Sequence, residues 1–182
     1  MRKRVLLLTG NPGVGKTTVL MKTVNALKTE GYTVGGMISR EAREGGTRVG
    51  FEILDLKSGR RGWLAQINQR SGPQVGKYRV NIEDLDSIGA RAIFDAIESC
   101  DVIAVDEIGP MELFSKKFKE AAQRALESGK LVVAVVHWKA QDELIIDARK
   151  REDAETTTVT CENREKLHQQ ITNKAQKILG QD

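Results

Sequence analysis

The pattern of apolar and polar positions divides the chain into alternating strands and helices. Three segments, at 4–9, 101–109 and 131–137, are largely apolar, as expected of strands that are covered on both faces of a sheet. Strands that alternate with helices indicate parallel βαβ units, and we therefore predict an α/β fold. Spacing and charge predict helices over 16–30, 82–99, 115–128, 140–152 and 162–179, and a further short strand over 156–160.

The segment over 33–66 departs from this alternation. It holds three short β-leaning stretches that glycine-rich turns separate, such as EGG at 44–46 and KSGR at 57–60. Short β-leaning stretches joined by tight turns are typical of antiparallel hairpins. The sequence therefore predicts a β-rich insertion after the first helix, within a single domain that spans residues 1–182.

Composition is typical of soluble globular proteins. The 182 residues are 40% hydrophobic and 30% charged, proportions that suit a folded domain better than a disordered chain. The net charge of +4 at neutral pH favours anionic ligands, and it permits nucleic-acid binding without indicating it. No long apolar helix face is left over for a second subunit, so we expect a monomer.

The cysteines and the apolar runs bear on the cellular compartment. Cys100 and Cys161 show neither a disulfide framework nor the spacing of a metal site, and reduced thiols are typical of intracellular proteins. The apolar run over 5–8 is too short for a signal peptide, and no segment approaches the roughly 20 apolar residues of a membrane span. We therefore expect a cytoplasmic protein that does not bind membranes.

The first apolar run ends in a glycine-rich loop that matches the phosphate-binding Walker A motif. Residues 10–17, GNPGVGKT, fit the pattern G-x-x-x-x-G-K-[ST] between a predicted strand and a predicted helix. Glycines let backbone N–H groups converge on phosphate oxygens, and the positive end of the helix points at the anion. The alternative is a merely structural glycine-rich turn. The residues predicted to hold the phosphates of ATP, GTP or a similar nucleotide are Gly10, Asn11, Pro12, Gly13, Val14, Gly15, Lys16, Thr17 and Thr18.

A metal ion and a reacting water molecule require further side chains. Lys16 is predicted to bridge the β- and γ-phosphates, and the Thr17 hydroxyl to bind Mg²⁺. A second metal ligand is expected at Asp106, which ends the apolar strand that begins at 101, as a Walker B aspartate does. Glu107 follows directly and is a candidate general base for the water. The alternatives are a helix-capping role for Asp106 and a solvated surface position for Glu107.

Three further side chains are candidates for contact with the terminal phosphate. His137 ends the strand after the acidic one, where it would sense the γ-phosphate or hold the attacking water. The alternative is a strand-end histidine without a role. Arg149 and Arg151 lie in a charged segment over 140–153 that would form a lid, and either arginine would supply transition-state charge. A solvated helix face is the alternative for both.

The last predicted helix carries candidates for contact with the base. Asn163 and Arg164 follow the last predicted strand, at a position where a nucleobase could lie in phosphate-loop folds. The alternative is that Thr160 caps the helix and leaves both side chains exposed on its first turn. Base preference depends on loop geometry, and the residue pattern does not predict it.

Five stretches together resemble one family, the small thermophile-type nucleoside triphosphatases that are related to the human cancer-related nucleoside triphosphatase. They are GNPGVGKTT, GGMISREAREGGTRVGFEI, VGKYRV, VIAVDEIGPMEL and VTCENRE. The resemblance extends along nearly the whole chain, and DEIGPMEL is among its most specific parts. It implies a three-layer P-loop fold with a RecA-like, mostly parallel sheet. Trp138 and Lys139 stand where it leads us to expect an arginine soon after His137.

The resemblance also implies an activity, the Mg²⁺-dependent hydrolysis of several nucleoside triphosphates to nucleoside diphosphate and phosphate. Under this hypothesis residues 10–17 hold the phosphates, and the strand over 102–109 provides the metal ligand and the base. The alternative is a kinase that transfers the γ-phosphate to a nucleotide, a polynucleotide end or a small molecule, and a nucleotide-dependent switch is a third hypothesis. The arginines that would form an acceptor site in a kinase are Arg40, Arg43, Arg48, Arg60 and Arg61.

Overall fold

The computed structural model describes residues 2–180, which form nine strands and six α-helices. The strands are β1 (Val5–Thr9), β2 (Val34–Glu44), β3 (Thr47–Asp55), β4 (Arg61–Gln66), β5 (Gln74–Val75), β6 (Tyr78–Val80), β7 (Val102–Ile108), β8 (Leu131–Val136) and β9 (Ala154–Thr158). The helices are α1 (Lys16–Thr29), α2 (Ile82–Asp84), α3 (Arg91–Ser99), α4 (Lys116–Glu127), α5 (Glu143–Lys150) and α6 (Arg164–Leu179). A π-helical segment over Leu85–Ala90 joins α2 to α3, and a 3₁₀ turn over Glu112–Phe114 precedes α4.

All nine strands of the described chain lie in one sheet, in the order β5-β6-β4-β3-β2-β7-β8-β1-β9. The half that contains β2, β7, β8, β1 and β9 is parallel, and the other strands extend it by antiparallel pairings. The predicted α/β class is confirmed, but the sheet is mixed rather than mostly parallel. The difference arises because β2 pairs with β7 along its first residues and with β3 along the rest, so the strands over 33–66 continue the same sheet.

Helices cover both faces of the parallel half, and β1 shows why its sequence is uniformly apolar. Leu6 and Leu8 belong to the core that α1 and α6 cover, whereas Val5 and Leu7 belong to the core on the side of α3 and α4. All four side chains are at most 2% exposed. A strand that is buried on both faces has no position for a polar side chain, which explains the absence of alternation.

The register of the sheet brings the ends of β1 and β7 to one edge. Strand β8 lies between them, and its Val135 pairs with Leu8 of β1 on one side and with Asp106 of β7 on the other. Because the three strands are parallel, the loop that follows β1 and the carboxylates that end β7 leave the sheet at the same edge. The fold thus joins two motifs that are about 90 residues apart in the sequence.

Several elements differ in length from the predictions. Helix α5 begins only at Glu143, because the side chain of Asp142 accepts a hydrogen bond from the Leu144 backbone N–H and caps the helix there. The helix predicted over 82–99 contains the π-helical segment. Strands β5 and β6 have two and three residues, too few to leave a periodic pattern. No helix within residues 2–180 is both long enough and apolar enough to cross a membrane.

Candidate active site

The loop between β1 and α1 has a shape that requires glycine. Gly10 has a φ of +149°, and a β-carbon there would lie 2.6 Å from the carbonyl oxygen of Val159. Gly15 has a φ of +110°, which L side chains rarely adopt. Helix α1 begins directly after it, at Lys16, and has no side-chain cap. The first N–H groups of α1 are therefore left for an external anion.

The side chain of Lys16 lies across this loop. Its Nζ donates hydrogen bonds to the carbonyl oxygens of Gly10 and Asn11, both at 2.9 Å. The positive charge is therefore held at the loop itself, within reach of an anion that the backbone N–H groups bind. The other predicted loop residues differ in burial: Pro12, Gly13 and Thr18 are exposed, and Val14 is buried.

Two cavities flank the loop, and their volumes are typical of small-molecule sites. The first, which we call the phosphate cavity, lies on the β7 side and has a volume of about 600 Å³; its lining includes Lys16, Thr17, Asp106, Glu107, Glu112 and His137. The second, which we call the β9 cavity, has a volume of about 730 Å³; its lining includes Gly10, Asn11, Arg149, Thr158 and Thr160. Trp138 lines both cavities.

Thr17 and Asp106, which both line the phosphate cavity, are in direct contact. The Thr17 hydroxyl donates a hydrogen bond of 2.6 Å to Asp106 Oδ2. Asp106 is 3% exposed, and burial raises its pKa to about 7, although the hydrogen bond from Thr17 acts in the opposite direction. Two oxygen ligands fit Mg²⁺, which enzymes usually bind through one or two protein groups together with water and substrate phosphates. A bound cation would favour the ionised form of Asp106.

A β-bulge lets Asp106 and Glu107 line the same cavity. Successive residues of a regular strand point to opposite faces, but the pairing of β7 with β8 shifts between Asp106 and Ile108. Bulges re-aim side chains in this way next to active sites, and both carboxylates line the phosphate cavity beside Lys16. Burial raises the pKa of Glu107, whereas nearby His137 and Lys16 lower it. A basic carboxylate close to a cationic site is suited to accept a proton.

Glu112 adds a third carboxyl group, which the sequence analysis did not assign. It lies in the 3₁₀ turn after β7, lines the phosphate cavity and is 3% exposed. Burial raises its pKa well above the ordinary value, and the neighbouring Glu107 and Asp106 raise it further. Burial and the two neighbouring carboxylates therefore favour the neutral form of the Glu112 side chain. Its burial follows from the tertiary packing of a three-residue turn, which has no periodic signature in the sequence.

His137 lines the phosphate cavity, and its hydrogen bonds define the tautomer of its neutral ring. Its Nδ1 accepts hydrogen bonds from the backbone N–H groups of Lys139, at 3.3 Å, and Ala140, at 3.0 Å. An imidazole nitrogen that accepts carries no proton, so in the neutral ring the proton is on Nε2. The ring therefore fixes the turn after β8 through Nδ1 and keeps Nε2–H as a donor. It lines the same cavity as Glu107, as its position at the strand end predicts.

The two arginines of the predicted lid lie in different surroundings. Arg149 donates through Nη2 to the carbonyl oxygen of His137 at 2.9 Å and to Thr9 Oγ1 at 3.4 Å, so it joins α5 to the ends of β8 and β1. Arg151 instead pairs with Asp153 at 2.8 Å and lines neither cavity. Asp153 thus holds the Arg151 guanidinium in this structure, and contact of either arginine with the phosphates stays a prediction.

The turn between β9 and α6 uses Asn163 for structure. Asn163 Oδ1 accepts from the Thr160 N–H at 2.8 Å, its Nδ2 donates to the Thr158 carbonyl at 2.9 Å, and Thr160 Oγ1 accepts from the Asn163 N–H. Both ends of the amide are thus bound to the backbone. Helix α6 has Asn163 at its N-cap position and no side-chain cap, so Thr160 does not cap it as the alternative supposed, and contact of Asn163 or Arg164 with a base stays a prediction. Arg164 lies over the phosphate loop, with Nη1 3.4 Å from the Val14 carbonyl oxygen.

The hairpin strands form the far wall of the phosphate cavity. Among the arginines considered for an acceptor site, Arg40 and Arg48 line it. Arg48 is already bound on both sides, because it donates to Tyr78 Oη at 2.8 Å and to Glu41 Oε1 at 2.9 Å. The Glu41 carboxylate is shared, because it also pairs with Arg43 at 2.9 Å. The arginines that do not line the cavity are Arg43, Arg60 and Arg61.

The fold and the site together define a P-loop nucleotide-binding protein. A glycine-rich loop after a parallel strand opens a helix, and a buried aspartate on another strand contacts the first turn of that helix. The family model described as NTPase matches residues 5–172, and the chain belongs to this family. The resemblance noted in the sequence is thereby confirmed.

Individual relatives match over nearly their full length. The nucleoside-triphosphatase THEP1 of Thermofilum pendens is 42% identical over 181 residues, which are 99% of this chain and 100% of the relative. The protein of the same name from Methanosarcina acetivorans is 44% identical over 176 residues, 96% of this chain and 98% of the relative. Among solved structures, a human cancer-related nucleoside triphosphatase superposes with a TM-score of 0.80 at 33% identity and covers 97% of this chain and 98% of its own.

Proposed function

We propose that this protein hydrolyses nucleoside triphosphates, ATP and GTP among them, to nucleoside diphosphate and phosphate in a Mg²⁺-dependent reaction. The observation that carries the proposal is that Glu107 lines the same cavity as Lys16 and the Thr17–Asp106 pair. The names of the relatives, which are nucleoside-triphosphatases at 42% and 44% identity, support it. In this proposal the parallel half of the sheet is the RecA-like core, residues 33–66 are its β-rich insertion and 140–153 is the lid.

Mg²⁺ would be held by Thr17 Oγ1 and a carboxylate oxygen of Asp106. When bound, it would neutralise charge on the β- and γ-phosphate oxygens and on the leaving group. Asp106 has to be ionised for this role, and the rise of its pKa to about 7 means that cation and proton compete for it. The hydrogen bond from Thr17 orients the carboxylate before the cation arrives.

The side chains of this protein then have separate tasks. The backbone N–H groups after Gly15 bind the phosphates, and Lys16 exchanges its two carbonyl partners for β- and γ-phosphate oxygens. Glu107 accepts a proton from a water molecule whose oxygen attacks the γ-phosphorus. The bond between that phosphorus and the β–γ bridging oxygen breaks, and the diphosphate leaves with the oxygen. The Nε2–H of His137 donates to a γ-phosphate oxygen.

Phosphate release tests this function. The protein is incubated with ATP, GTP, CTP or UTP, with and without Mg²⁺ and without an acceptor. We expect steady release that needs Mg²⁺, that Lys16→Ala abolishes and that Glu107→Gln lowers by about 10²- to 10⁴-fold, the usual contribution of a general base. Glu83→Gln, an exposed carboxylate on α2, is the matched control. Absence of release from every nucleotide would overturn the proposal, and unchanged release in Glu107→Gln would remove the base.

A further inference from the structure

Trp138 has a position that the proposed reaction does not use. It follows β8 directly, is 36% exposed and is among the few large hydrophobic side chains that are exposed in the described chain. It also lines both the phosphate cavity and the β9 cavity, so it stands at the boundary between them. An exposed tryptophan beside a ligand cavity is a candidate contact residue, because its large ring loses little conformational entropy on binding.

The turn that carries Trp138 is fixed from both ends. The preceding residue is His137, whose Nδ1 accepts hydrogen bonds from two backbone N–H groups of the turn. The His137 carbonyl oxygen accepts a hydrogen bond of 2.9 Å from Arg149. On the following residue, Lys139 Nζ lies 4.2 Å from the centroid of the indole ring, within the range of a cation–π contact. The indole is therefore presented on an ordered turn and not on a free loop.

The residues that line the two cavities indicate the orientation in which a nucleoside triphosphate would bind. Hydrolysis requires the γ-phosphate to lie on the side of Asp106 and Glu107, in the phosphate cavity. The nucleoside is joined to the other end of the triphosphate and therefore leaves the loop on the other side. There the β9 cavity is lined by Gly10 and Asn11 of the loop and by Thr160 of the β9–α6 turn, and its volume of about 730 Å³ leaves room for a nucleoside.

We infer that the β9 cavity binds the nucleoside and that the indole of Trp138 stacks on the nucleobase. The inference rests on the proposed function, since it needs the triphosphate on the loop. Stacking on an indole accepts every base, because each base has a π-face, and the Asn163 amide is already bound to the backbone through both Oδ1 and Nδ2. This side chain thus promotes binding of all common nucleotides and discriminates little among them.

Fluorescence of Trp138 itself tests the inference. The chain has two tryptophans, and the other, Trp63, lies in β4 and lines neither cavity. The variant Trp63→Phe therefore reports on Trp138 alone. It is titrated with ATP, GTP and UTP, and with inorganic tripolyphosphate as a ligand that has the phosphates but no base, all with Mg²⁺. We expect quenching by the three nucleotides and little change with tripolyphosphate, although tripolyphosphate competes for the site.

Kinetics provide the second readout. Trp138→Ala should raise KM for ATP by roughly 5- to 100-fold, the usual effect of losing one stacked base, without changing inhibition by tripolyphosphate. Trp138→Phe should restore most of the affinity. Equal fluorescence quenching by ATP and tripolyphosphate, or an unchanged KM in Trp138→Ala, would overturn the inference. If the protein still released phosphate, the proposed function would stand. Quenching by ATP without phosphate release from any nucleotide would instead overturn the proposed function and leave the base site intact.

Discussion

The Thr17 hydroxyl donates a hydrogen bond of 2.6 Å to the carboxylate of Asp106, across 89 residues of sequence. This contact connects helix α1 to strand β7, although β8 lies between β7 and β1 in the sheet. It is made possible by the register in which Val135 pairs with both Leu8 and Asp106. The sheet therefore sets the distance between the helix proposed to bind the phosphates and the carboxylate proposed to bind the metal.

Removal of either partner in this contact should abolish the dependence on Mg²⁺. Thr17→Ala removes one proposed ligand and Asp106→Asn removes the negative charge of the other, and we expect phosphate release to fall by about 10²-fold or more, since the stabilisation of transition-state charge is lost. Thr17→Ser keeps the hydroxyl and is the control. The measurement is the initial rate of release over a range of Mg²⁺ concentrations. A Thr17→Ala protein with an unchanged Mg²⁺ dependence would contradict this assignment of the ligands.

The loop glycines should differ in their sensitivity to substitution. A β-carbon at Gly10 would lie 2.6 Å from the backbone oxygen of Val159, whereas one at Gly13 would meet nothing within 4 Å, although both residues have a positive φ. We expect Gly13→Ala to cost about 1 kcal/mol and Gly10→Ala about 3 kcal/mol, because Gly10→Ala adds a backbone clash to the dihedral strain. Urea unfolding of both variants measures the two losses of stability and shows which is larger. Equal losses of stability would show that the loop moves away from Val159.

The features that could be predicted from the sequence are those that depend on one continuous stretch of residues. The uniformly apolar strands, the phosphate loop and the pair Asp106-Glu107 each occupy a single stretch. The bulge that lets the pair line one cavity was not predictable, since it depends on the pairing of β7 with β8. Neither was the burial of Glu112, which results from packing around a 3₁₀ turn.

The choice between Arg149 and Arg151 was also beyond the sequence. The two residues are separated by one position in a highly charged segment, and a pattern of charge does not show where a helix ends. The structure ends α5 at Lys150, so Arg149 faces the ends of β8 and β1, whereas Arg151 turns to Asp153. The position of a helix end thus gave two similar residues different partners.

Glu112 should make stability depend on pH. Its pKa is raised in the folded protein by burial, Glu107 and Asp106, so between the unfolded and the folded pKa the folded state binds more protons. The contribution of Glu112 to the free energy of unfolding is therefore highest at low pH, where Glu112 is protonated in both states. It decreases as the pH rises above the ordinary pKa of a glutamate. Glu112→Gln, which is neutral at every pH, should be less sensitive, and its melting temperature should exceed that of the unmodified protein by an increasing margin from pH 5 to pH 8.

The comparison for Glu112 needs a control for general effects of charge. Glu83→Gln changes an exposed carboxylate, and it should shift the melting temperature by a similar small amount at every pH. A difference between Glu112→Gln and the unmodified protein that stays constant from pH 5 to pH 8 would contradict a neutral Glu112 in the folded state.

Truncation of Arg149 should lower activity, whereas truncation of Arg151 should lower only stability. Arg149→Ala removes the donor that holds the His137 carbonyl and Thr9, so the turn with His137 and Trp138 loses an anchor beside the phosphates. We expect phosphate release to fall by about 10-fold, as for one lost hydrogen bond to a charged group. Arg151→Ala should leave release within about twofold and lower the melting temperature slightly, because its half-buried pair with Asp153 contributes to stability alone. Steady-state kinetics and thermal unfolding of both variants separate the two roles, and an equal loss of activity in Arg151→Ala would contradict a purely structural role for the pair of Arg151 with Asp153.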